Sequence, residues 1–116
     1  MQITVDLDSN RDVRVTLCGE FDAMGCKLVR EDLDSAARQC ASGTLYLDLY
    51  DVTFIDSSGI GAIVYLFKRV RAVEGKLNIV NVRGQALELI SLLRVDEAIP
   101  VSPYATPEEN SNHHIG

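Results

Sequence analysis

Apolar residues recur at every second position in some stretches of this 116-residue chain and at every third or fourth in others. That change of period constrains the fold more than any other feature, because period two marks a half-buried strand and period 3.6 an amphipathic helix. Ile3, Val5 and Leu7 alternate with polar residues, Asp8-Ser9-Asn10-Arg11-Asp12 supplies turn formers, and Val13, Val15 and Leu17 alternate again. The pattern predicts an antiparallel hairpin. From Asp22 the period lengthens: Cys26, Val29, Leu33, Ala36 or Ala37, and Cys40 make a helical stripe that Asp22 is placed to cap and Gly43 to end. Leu45, Leu47 and Leu49 return to alternation, and Val52 to Ile55 carry the strand up to Asp56. Ile60, Ile63, Val64, Phe67 and Val70 then restore helical spacing, widened by Ala62, Leu66 and Val73. Lys68, Arg69 and Arg71 lie in its later turns, where the helix dipole favours cations, and Gly75 is expected to stop it. Leu77 to Val82 predicts another strand broken by Gly84, the leucines Leu87, Leu92 and Leu93 with Ile90 a third helix, and Ile99-Pro100-Val101 a last strand.

The predicted order is β-β-α-β-α-β-α-β, an α/β class. Strands separated by helices of this length pair in parallel through right-handed crossovers, so the sheet is expected to be mixed, with the opening hairpin as its antiparallel part and the helices packed on it. The length suits one domain, expected over residues 1–109. Thr106-Pro107-Glu108-Glu109 is a helix-start signal. Residues 110–116 contain one apolar side chain, Ile115, and are expected to be a polar tail.

Charge and cysteine usage narrow the function. With 11 Lys+Arg against 17 Asp+Glu the formal charge is −6, which disfavours nucleic acid and anionic membrane as partners. No apolar run approaches the roughly 20 residues that span a bilayer, and Met1-Gln2-Ile3-Thr4-Val5-Asp6 lacks the basic start and apolar centre of a secretory signal, so a cytoplasmic location is expected. Cys18, Cys26 and Cys40 have no metal-ligand spacing, and His113 and His114 stand far away in the tail. On one helix Cys26 and Cys40 would be about 20 Å apart, too far for a disulfide. Buried reduced thiols and no metal are the reading.

The stretch Asp51-Val52-Thr53-Phe54-Ile55-Asp56-Ser57-Ser58-Gly59-Ile60-Gly61 carries the chemistry. It puts two hydroxyls where a strand hands over to a helix, at the carboxyl edge where α/β sites form and where the first helical turn offers unpaired amides. Two readings stand on spacing alone. Asp56 or Ser57 caps an ordinary helix while Gly59 and Gly61 permit close packing; or Ser57 accepts a phosphate, hosted by the amides of that turn, whose charge switches a binding surface.

Other chemistries lack parts. Ile55 and Asp56 stand where a G-x-S-x-G elbow needs its first glycine, and no histidine lies near as base. Gly59-Ile60-Gly61 has no P-loop lysine. A phosphoacceptor Asp56 could draw on Asp6 and Asp8 for a cation, but no lysine follows Lys76. No catalytic group, cofactor or small-molecule substrate is expected.

Asp56-Ser57-Ser58-Gly59-Ile60-Gly61, preceded by an apolar strand and followed by a helix with a basic end, resembles the signature of the STAS-domain anti-sigma-factor antagonists of bacteria. Gly19-Glu20-Phe21-Asp22 resembles the family's Gly-Glu-hydrophobic-Asp element between the second strand and first helix. The resemblance implies a binding switch in place of an enzyme: unphosphorylated, it would hold an anti-sigma factor that is also a serine kinase, releasing a sigma factor for transcription. It implies Ser57 as phosphoacceptor, Ser58 as the next choice, a metal-dependent serine phosphatase that reverses the step, and no cofactor. Gly19, Glu20, Phe21, Asp22, Asp56, Ser57, Ser58, Gly59, Ile60 and Gly61 would form the docking surface. A STAS scaffold that is not phosphorylated, as in stress-sensing or lipid-transport complexes, is the alternative.

Overall fold

Alternation at the start of the chain produces β1 (Gln2–Leu7) and β2 (Val13–Phe21), antiparallel, with Ile3 opposite Leu17 and Val5 opposite Val15. The structure is a computed structural model that describes residues 1–8 and 10–105. In the connecting turn the Asp8 carboxylate accepts the Asn10 and Asp12 amides at 2.8 and 3.0 Å. There follow α1 (Ala23–Gln39), β3 (Thr44–Ile55), α2 (Ser57–Ala72), β4 (Lys76–Val82), α3 (Gly84–Leu92), a short 3-10 turn (Val95–Glu97) and β5 (Val101–Pro103). The sheet runs β1-β2-β3-β4-β5, parallel from β2 onward, so the expected mixed α/β architecture is what forms.

The alternation also decides which side of the sheet is dry. Val13, Val15 and Leu17 of β2 and Leu45, Leu47 and Leu49 of β3 join Val29 and Leu33 of α1 and Ile63 and Leu66 of α2 in one core cluster. Each such side chain contributes about 1.5–3 kcal/mol when fully buried. The intervening positions of the same strands are polar or amphipathic: Arg14, Thr16 and Cys18, then Tyr46, Asp48 and Tyr50. Asp48 is only 8% exposed yet fully bonded. Its Oδ2 accepts from Arg14 Nη2 at 2.6 Å and Asn81 Nδ2 at 3.0 Å, and its Oδ1 accepts the Tyr50 amide at 2.9 Å. Burial alone would raise the Asp48 carboxyl, but these donors and the arginine's charge outweigh it and hold the group below the usual carboxylate range.

Several expectations are corrected. Gly43 and Gly75 do not turn the chain after the helices; Ser42 and Glu74 do, at φ 61° and 60°. The glycines serve close approach, since a Cβ on Gly43 would strike the Arg11 carbonyl and one on Gly75 would stand 3.0 Å from that of Cys40. The third helix keeps Ile90 in the core with Ala86, and Leu87 half-buried, whereas Leu92 and Leu93 face solvent, Leu92 at 75% exposure. The helix stops before Leu93 and Arg94 turns left-handed at φ 58°, so Val95 and Ile99 do the burying instead. Of the cysteines only Cys40 is buried; Cys26 is half-buried, and Cys18 is exposed because it alternates onto the polar side of β2. The Thr106 helix signal and the 110–116 tail lie outside the described residues. Among the described residues no helix is long and apolar enough to cross a membrane.

Candidate functional site

Phe21 and Ile55 pair as the last residues of the parallel strands β2 and β3, so α1 and α2 begin side by side at one edge of the sheet. Each start is capped by an extended aspartate. Asp22 accepts the Gly25 amide at 2.8 Å; Asp56 accepts the amides of Ser58 and Gly59 at 2.9 and 3.3 Å. Such caps satisfy donors that the helix cannot, which is why Asp precedes both helices.

Ser57 is the first residue of α2 and is exposed; Ser58 is half-buried. Asp56 therefore forms the cap of the first sequence reading, and Ser57 beside it is exposed. One detail differs: Asp56 already occupies the Ser58 and Gly59 amides, so those amides are not open to host a phosphate on Ser57.

The other candidate residues separate into surface and support. Glu20 and Gly61 are exposed, and Gly19, Asp22 and Asp56 half-buried. Phe21, Gly59 and Ile60 are not on the surface: Phe21 is fully buried and Ile60 is 8% exposed. A Cβ on Gly59 would run into the Phe21 carbonyl, so this glycine lets α2 sit directly on the end of β2. Gly61 faces open space, with nothing within 4 Å of a would-be Cβ, so packing does not require it. The Gly19–Phe21 stretch is the end of β2 and not a loop; Gly19 takes φ 114°, where the pairing with β3 shifts register.

Sequence reasoning missed the neighbouring surface. A groove of about 580 Å³ runs between α1 and α2, lined by Met24, Lys27, Arg30, Leu33, Ala62 and Tyr65 among others. The Arg30 guanidinium lies 5.7 Å from the centre of the Tyr65 ring, within cation–π range. Phe54 beside Glu20 is also exposed. Met24 and Tyr65 lie off the core stripes of their helices, and an apolar residue outside the stripe is the signal that would have found them. Cys26 lines the same groove; burial first, then the carboxylates of Asp56 and Asp22, push its thiol up, against a backbone hydrogen bond that lowers it.

A mixed sheet, parallel from β2 onward, with two aspartate-capped helix starts at its carboxyl edge, one bearing an exposed serine, defines an α/β domain whose candidate site lies at that edge. Comparison with known proteins agrees. The family model for the STAS domain matches residues 4–109. The chain is 33% identical over 103 residues to the anti-sigma-B factor antagonist of Bacillus subtilis, covering 88% of this chain and 93% of that protein. It superposes on the anti-sigma-factor antagonist (STAS) domain protein of Planctomyces limnophilus with a TM-score of 0.78, 18% identity and 98% of both chains covered. With the phosphorylated form of the Bacillus cell-fate determinant SpoIIAA the TM-score is 0.66 at 21% identity, covering 97% of this chain and 99% of that one. The chain belongs to the STAS-domain family of anti-sigma-factor antagonists.

Proposed function

We propose that this protein is a phosphorylation-controlled binding switch. Unphosphorylated, it holds an anti-sigma factor that is also a serine kinase, and the sigma factor is set free for transcription. The kinase transfers a phosphate from ATP to Ser57, and the complex dissociates; a metal-dependent serine phosphatase restores binding. The domain works in the cytoplasm and catalyses nothing itself. The observation that carries the reading is the exposed Ser57 at the first position of α2, beside a second capped helix start. A phosphorylated form in a structural neighbour, SpoIIAA, supports it.

The physical effect is electrostatic. A neutral hydroxyl fits a close interface, whereas a phosphoserine brings nearly two negative charges and their hydration beside the Asp56 carboxylate. Burying that charge unpaired costs several kcal/mol. A loss of about 3 kcal/mol weakens binding by about two decades.

The test is to mix the purified protein with the anti-sigma factor kinase of the same genome and ATP, then map the product by mass spectrometry. One phosphate on Ser57 is expected, and Ser57→Asp should bind the kinase about 100-fold more weakly than Ser57→Ala. Equal binding by the two variants would point to the unphosphorylated scaffold instead. Phosphate on Ser58 alone would move the switch by one residue.

A further inference from the structure

On the side away from β2, β3 has β4 as its neighbour only from Thr44 to Asp48, opposite Lys76 to Val80. Its later residues, which lead to Ser57, lack that partner. Side chains that follow the paired residues of β4 bond β3 at Asp48, Tyr50 and Ile55, to the side chain in the first case and to the backbone in the other two. Asn81 Nδ2 donates to the Asp48 carboxylate at 3.0 Å, and Arg83 Nε donates to the Tyr50 carbonyl at 3.0 Å. Gln85 goes furthest: its Oε1 accepts the Ile55 amide at 2.9 Å and its Nε2 donates to the Ile55 carbonyl at 2.7 Å. A primary amide has the same donor and acceptor as a peptide group, so Gln85 does for Ile55 what an adjacent strand residue would do.

We infer that Gln85 is a positioning residue for the phosphoacceptor turn. Ile55 immediately precedes the Asp56 cap. Phe21 of β2 holds it on one side and Gln85 on the other. With both of its backbone groups fixed on the open side, the chain enters α2 at one angle and Ser57 is presented in one orientation. Transfer to a hydroxyl depends steeply on such alignment. Gln85 is itself exposed and lies outside the core cluster, so its amide can be removed without opening a cavity. The inference rests on Ser57 being the phosphoacceptor for its kinetic consequence, but the clamp on the turn can be read without any kinase.

The experiment compares wild type with Gln85→Met, which keeps length but makes neither bond, and Gln85→Glu, which keeps the acceptor for the Ile55 amide. With the anti-sigma factor kinase and ATP, kcat at Ser57 is expected to fall about tenfold for Gln85→Met and less for Gln85→Glu, while KM stays within about twofold. In the isolated protein, amide hydrogen exchange at Ile55, Ser58 and Gly59 should quicken in the same order, with exchange elsewhere in the sheet and the melting temperature unchanged. Wild-type kcat and exchange in Gln85→Met would overturn the inference. So would a loss of phosphorylation that accompanies faster exchange throughout the sheet, since that marks a purely structural role. If wild type takes no phosphate at Ser57, the proposed switch fails, and the exchange pattern at the turn alone decides for or against the clamp.

Discussion

The two helix starts at the carboxyl edge are built alike. Asp22-Ala23-Met24-Gly25 and Asp56-Ser57-Ser58-Gly59 each begin with an extended aspartate, at φ −107° and −123°, that accepts the amide of the glycine three residues on. In both the glycine is buried, and a Cβ would collide with a carbonyl at the end of β2, Glu20 for Gly25 and Phe21 for Gly59. What differs is the pair of residues between: Ala23 and the 64% exposed Met24 in the first, two serines in the second. Aspartate and glycine make the frame, and the two inner positions carry the chemistry. One turn presents hydrocarbon to solvent and the other presents hydroxyl, at the ends of neighbouring strands.

The glycines give the largest expected effect. Gly59→Ala should cost about 3 kcal/mol and Gly25→Ala about 2, since overpacking against fixed backbone costs of that order. The difference comes from Ile55, whose Cγ1 would lie 2.5 Å from the new Cβ at Gly59, whereas the next contact at Gly25 is Met1 Cβ at the longer distance of 3.3 Å. Equilibrium urea unfolding measures both, and the reverse order would show that the frames are not equivalent. The aspartates come next: Asp56→Ala should cost about 1.5 kcal/mol and Asp22→Ala about 1, because Asp56 caps two amides and Asp22 one. Equal losses in the same assay would mean that the second amide bond is idle.

The smallest effect reads the field between the frames. Both carboxylates push the Cys26 thiol up, Asp56 more than Asp22, after the larger influence of burial. Neutralising either lowers the thiol and leaves more of the reactive thiolate at a given pH. Iodoacetamide should therefore label Cys26 faster in Asp56→Asn than in Asp22→Asn at pH 8, and both faster than wild type. Unchanged rates would place the thiol outside the reach of either cap.

Much of this frame was legible because it is local. Capping needs residues three apart, the helical stripes need windows of a dozen residues, and the hairpin needs a turn between two alternating runs. Asp22, Asp56 and Ser57 stand where such signals put them. The unread part joins residues about thirty apart: Gln85 on Ile55, Arg83 on Tyr50, Asn81 and Arg14 on Asp48. Nothing in a periodic pattern marks an exposed glutamine as a substitute for a strand. Gly43 and Gly75 misled for the same reason. Their neighbours in space are Arg11 and Cys40, and local spacing suggested only a helix end.

Strand order in the sheet repeats strand order in the chain. Every strand after the first can therefore add to an edge already laid down, and none has to be inserted between two that formed earlier. A growing polypeptide emerging from the ribosome can thus assemble the sheet in the sequence in which it is synthesised, the first hairpin serving as template. The serine-bearing turn, closed on one flank by β2, gains its second support only after Gln85 has been made.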